Sequence, residues 1–143
     1  MKSVHSSYFE GILQLRNPTK ELMQFVEAKI EQKEGVFISK KAKVRNGWDL
    51  YLSSGRFLKA LGKLLQQHFG GELVISARLF SRSRQTSKDI HRLSVLFRLP
   101  SFVKGQIITH RGDRLKILFI GKKVGAQNIE TGEKMQLSYS ELR

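Results

Sequence analysis

The chain has 143 residues, 40% of them hydrophobic, and sets 26 Lys and Arg against 12 Asp and Glu, for a net charge of +14 and a pI near 10.4. That length allows one domain, or one domain and a small module, with a real core. The absence of cysteine excludes disulfides and cysteine-ligated zinc, and no apolar run approaches the ~20 residues of a bilayer span.

Met1 to Ser7 is polar and does not read as a signal peptide, so a cytoplasmic protein is expected. The charge falls on both parts of the chain, with 18 bases against 8 acids up to Pro100 and 8 against 4 beyond it. Such an excess repels itself unless a polyanion neutralises it, and nucleic acid is the commonest such partner. A membrane surface would call for an amphipathic basic helix with an exposed apolar face, so no membrane partner is expected.

In chain order, Tyr8 to Arg16 reads as a strand that ends at Asn17-Pro18, with Asn17 as helix cap and Pro18 as first helical residue. Leu22, Phe25, Val26 and Ile30 recur at helical spacing until Gly35 stops the run. Val36 to Arg45 and Trp48 to Ser53 flank Asn46-Gly47, which predicts a hairpin with a two-residue type I′ turn. A second helix follows, capped by Ser53 or Ser54, with an apolar stripe of Phe57, Leu58, Leu61, Leu64, Leu65 and Phe69, and Gly70-Gly71 closes it. Leu73 to Phe80 and His91 to Leu99 read as strands joined by a polar basic loop, Ser81 to Ile90.

The fold class is therefore α+β. A β-α-β-β-α-β-β order predicts one antiparallel or mixed sheet with two helices on one face, over residues 1–100. From Ser101 to Arg143 the pattern changes to short strands: Gln106 to His110, Arg114 to Ile120, Lys123 to Ile129 and Lys134 to Leu137, then a helical turn over Ser138 to Leu142. This second domain suits a small all-β barrel of the Src-homology-3 or KOW type.

Three basic constellations are candidate RNA-binding sites. In the hairpin, Lys41, Lys43 and Arg45 alternate with Ala42 and Val44, which puts the cations on one strand face. There they lack counter-charge, and the same face is expected to hold Phe37 and Tyr51, with Trp48 on the core side beside Leu50 and Leu52. In the second helix, Arg56, Lys59 and Lys63 lie within about 60° of one another and no acid offsets them. The third group is Arg78, Arg82, Arg84, Lys88 and Arg92, in and beside the basic loop, which reads as a mobile segment that orders on RNA. Against each stands the plainer reading of a solvated surface that keeps the protein in solution.

Catalysis finds little support. His5, His68, His91 and His110 are scattered without metal spacing, and Asp49, Glu72 and Asp89 form no pair. No glycine-rich phosphate loop occurs. The chain is read as a non-enzyme without cofactors.

An ordered set of segments adds to this. Tyr-Phe-Glu-Gly-Ile-Leu-Gln-Leu-Arg (8–16), Trp48 to Ser54, His68 to Glu72, Ser76 to Leu79 and Leu93 to Pro100 resemble the nonsense-mediated-decay-three family. The same holds for Gly105 to Ile108, Glu130 to Glu133 and Leu137 to Leu142. These are adaptors for maturation and export of the large ribosomal subunit. The resemblance implies that the first domain is similar to a large-subunit ribosomal protein, and the second to the first domain of the hypusine-bearing translation factor. It further implies docking near the tRNA exit site, with large-subunit ribosomal RNA and ribosomal proteins as partners. The family's cysteine-rich zinc module has no counterpart among these residues, which leaves a separate zinc-module protein as an open further partner. The alternatives are a free-standing RNA-binding or translation-regulating protein, or a protein-interaction module.

Overall fold

The computed structural model describes residues 8–82 and 89–142. Its elements run β1 (Gly11–Arg16), α1 (Lys20–Gln32), β2 (Ile38–Val44), β3 (Gly47–Leu52), α2 (Gly55–Phe69), β4 (Glu72–Arg82) and β5 (Asp89–Arg98). Then come β6 (Ile107–His110), β7 (Asp113–Ile120), β8 (Val124–Asn128), β9 (Lys134–Leu137) and a 3-10 turn, Tyr139–Leu142. The first five strands form one mixed sheet in the order β2-β3-β1-β5-β4, in which β1 and β5 are parallel and every other pair is antiparallel. The last four form an antiparallel meander, β6-β7-β8-β9. This is the α+β class that the sequence pattern implies.

Strand alternation explains the layering. Leu13 and Leu15 of β1, Leu50 and Leu52 of β3, and Val95 and Phe97 of β5 turn the same way and are fully buried. Leu22, Val26 and Ile30 of α1, with Leu58, Leu61 and Leu65 of α2, close over them. Both helices thus cover one face of the sheet. Gly62 lets α2 lie close to β5: a Cβ there would meet Val95 Cγ1 at 2.7 Å.

The meander has its own small cluster, Ile117, Val124 and Tyr139, with Phe102, Ile108 and Leu142 packed against it. It meets the first sheet at the end of α2. Gly70, at φ +73°, lies so close to the Ile120 carbonyl that a Cβ would come within 2.5 Å of its oxygen.

Several local expectations shift. The first strand begins at Gly11 rather than Tyr8. Thr19, not Asn17, caps α1, its hydroxyl accepting from the Leu22 amide at 3.1 Å. Asn17 adopts a left-handed φ of 53° and donates its side-chain amide to the Leu99 carbonyl, so it ties two loops together. The hairpin turn is Arg45-Asn46, since Val44 pairs with Gly47. Gly47 is already a strand residue, and a Cβ on it would lie 1.8 Å from the Leu15 carbonyl oxygen of β1. Glycine is needed there for that approach rather than for a type I′ turn. Finally, β4 and β5 run further than their apolar residues do, with Ser81 opposite Ile90 and Arg82 opposite Asp89. The basic connection is thereby shortened to residues 83–88, which lie outside the described residues.

Candidate nucleic-acid interface

Of the three constellations, α2 keeps its expected geometry. Ser54 caps the helix, its hydroxyl accepting from the Phe57 amide at 3.1 Å, and Glu10 Oε1 accepts from the Gly55 amide at 2.7 Å. Borrowing Glu10 from the chain before β1 places a carboxylate at the positive end of a helix whose first turn has none. With the leucines buried, Arg56, Lys59 and Lys63 all fall on the exposed side. Among the described residues none of the three has an ion-pair partner at salt-bridge distance.

The hairpin departs from expectation. Lys41 stands opposite Leu50 and Lys43 opposite Trp48. Cross-strand partners share a face, so these lysines lie on the helix-covered side and not beside Tyr51. They escape burial because β2 is the edge strand. Lys41 forms a salt bridge with Glu27 of α1, and both lysine ammoniums lie over the Trp48 ring, at 4.9 and 5.9 Å. The row is therefore not without counter-charge. Arg45 is exposed in the turn, and Phe37 is exposed ahead of β2. Trp48 does stand with Leu50 and Leu52 on the core side, as the alternation implies.

In the third group, Arg78 of β4 is exposed and directly opposite Arg92 of β5, on the face without helices. Arg92 lays its guanidinium 3.8 Å from the centre of the Phe9 ring. Arg82 ends β4 opposite Asp89. Arg84, Lys88 and the mobility expected of their loop lie outside the described residues. The described members of the three constellations thus occupy different surfaces: the overhanging edge of β2, the outer side of α2 and, for Arg78 and Arg92, the helix-free face at β4 and β5.

One basic concavity went unread in the sequence. It has a volume of about 700 Å³ and lies where β1 and β5 end, between Arg16, Asn17, Lys43, Asn46, Trp48 and Arg98. Arg16 and Arg98 stand in register on the two parallel strands. The Arg16 guanidinium is fixed by Asp49 at 2.8 Å and by the Leu15 and Trp48 carbonyls. Among the described residues no carboxylate lines the concavity itself. A signal was present: Arg16-Asn17-Pro18 and Arg98-Leu99-Pro100 are the same Arg-Xaa-Pro at the ends of two strands. Proline ends each strand, which leaves the preceding arginine at the rim. Among the described residues no group of three or more His, Asp or Glu could hold a metal ion, and no helix is long and apolar enough to cross a membrane.

A family model described as NMD3, second domain, matches residues 8–99. No curated protein matches the chain at a significant level. The matched span covers the whole five-stranded sheet with both of its helices, well over half of the chain. The protein belongs to the NMD3 family.

Proposed function

We propose that the protein is a non-catalytic RNA-binding protein that docks on the large ribosomal subunit, at the tRNA exit-site region, during ribosome biogenesis. The observation that carries this reading is the outer side of α2, where Arg56, Lys59 and Lys63 lie together in a helix with no acid. A fold has no use for such a stripe, since like charges on neighbouring turns repel. A phosphate backbone supplies what is missing, and each neutralised phosphate releases condensed counterions. Family membership supports the choice of RNA, because the family is one of ribosome biogenesis.

On this reading the chain has two domains, 1–100 and 101–143. The second resembles a Src-homology-3 or KOW barrel like the first domain of the hypusine-bearing translation factor, and adds basic surface beside α2, where Lys63 and Lys122 line one crevice. The partners are large-subunit ribosomal RNA and ribosomal proteins, and the compartment is cytoplasmic. The test is a titration of labelled large-subunit ribosomal RNA over a salt series. With several phosphates engaged, log K falls linearly with log salt, by about 0.7–0.9 per contact. A slope near zero, or equal affinity for an uncharged polymer, removes the proposal.

A further inference from the structure

We infer that the helix-free face of the five-stranded sheet stacks unpaired nucleobases of an RNA strand, on a row of cations and aromatic rings that crosses it. The inference rests on the RNA-binding reading but concerns a different surface from α2 and a different part of the RNA.

The row runs across the whole sheet. On edge strand β2 the Lys40 ammonium lies 5.4 Å from the centre of the Tyr51 ring. Tyr51 of β3 meets Phe9 edge-on, with ring centres 4.9 Å apart. Phe9 carries the Arg92 guanidinium of β5 at 3.8 Å, and Arg92 faces Arg78 of β4 directly across the ladder. The order across the sheet is cation, ring, ring, cation, cation.

Two local irregularities build this row. The bulge between Ile38 and Lys40 turns Lys40 to the helix-free side while Lys41 and Lys43 face the other way. The bend at Glu10 sends its carboxylate to cap α2 and leaves Phe9 beside Tyr51 on the open face.

The chemistry favours a nucleic-acid strand over a protein. Two arginines opposite each other in a ladder destabilise it. A guanidinium plane over an aromatic ring is itself a stacking platform for a base. Of the acids on this side, Asp49 is held by Arg16, and Glu10 serves Gly55 and the Tyr8 hydroxyl. Glu72 is buried at the far end of the face. Arg16, paired with Asp49, and Arg98, opposite Glu72, end the same face at the concavity. Rings and planar cations suit bases, and Arg78 and Lys40 at the two edges suit the phosphates between them.

The test compares an oligouridylate that cannot pair with itself and a fully paired RNA duplex, each titrated with the whole chain at one salt concentration. Phe9→Leu with Tyr51→Leu keeps apolar bulk but removes both rings. Single-strand affinity is expected to fall about tenfold or more, since stacking contributes strongly per base. Duplex affinity is expected to change less than about twofold, because the duplex hides its bases from this face. Should the double variant unfold, Arg92→Lys serves instead: it retains the charge but not the plane, and the same single-strand loss is expected. Unchanged single-strand binding in a folded variant overturns the inference and leaves the RNA-binding reading standing. Equal losses on both RNAs overturn it too, since the row would then act only through charge or packing. An acidic polyglutamate peptide that binds as tightly as the oligouridylate and loses as much in these variants would replace RNA by an acidic protein segment. A wild-type chain that binds neither RNA removes both readings.

Discussion

Replacing Arg56, Lys59 and Lys63 together by Gln removes the stripe of α2 without disturbing what lies beneath it. All three side chains are exposed, and the buried side of the helix, Leu58, Leu61 and Leu65, is untouched. Gln has nearly the helix propensity of Arg and Lys, so each change is expected to cost under ~0.5 kcal/mol. The binding effect follows from counting. Three lost phosphate contacts lower the salt slope by about 2–3, because each contributes roughly 0.7–0.9. Between about 50 and 200 mM salt the variant then loses about 30-fold less affinity than the wild type does, and the two curves converge at high salt. Fluorescence anisotropy with a labelled fragment of large-subunit ribosomal RNA reads the slope, and circular dichroism confirms the fold. An unchanged slope in a folded variant refutes the assignment of α2 as a phosphate-contacting surface.

Leu61→Ala, at a position only 2% exposed, is expected to cost roughly 2–5 kcal/mol in a urea titration, and a loss below ~1 would mean that the helix layer is wrongly placed. Gly47→Ala forces a Cβ against the Leu15 carbonyl and should cost about 1–3 kcal/mol, visible as a lower urea midpoint; an unchanged midpoint contradicts the close approach of β3 to β1. Burial, and secondarily the charge of Glu72, push the Tyr139 phenol up to about 12 from 10.0, and its hydroxyl donates to the Gly121 carbonyl. The unfolded phenol ionises first, so this contribution to stability is complete below about pH 10 and fades as pH rises towards 12. Ultraviolet titration should show one of the three tyrosines ionising last, a step that Tyr139→Phe abolishes; uniform ionisation near pH 10 in the folded protein contradicts it.

The first sheet was legible because its core faces alternate cleanly and its helices carry leucine stripes. What escaped depends on contacts between distant residues. Asn17 scores as a local cap, yet its amide is claimed by a carbonyl 82 positions away. Asn46-Gly47 reads as a turn pair until β1 arrives and requires a glycine in the strand. The lysine row was legible as a row, but its counter-charge, Glu27, lies on another element. The ends of β4 and β5 were missed because a ladder of backbone hydrogen bonds needs no apolar side chains. The concavity was half written in the repeated Arg-Xaa-Pro, but only the parallel pairing of β1 with β5 brings Arg16 and Arg98 into register.

The central claim is that this basic chain is built to sit on large-subunit RNA. Sedimentation through a sucrose gradient with purified large and small ribosomal subunits tests it most directly, at low and at high salt. The protein is expected to travel with the large subunit and not the small, and to be released as salt rises, because its contacts are with phosphates. Migration at the top of the gradient at low salt, equal distribution between the subunits, or attachment that salt does not weaken would contradict the account.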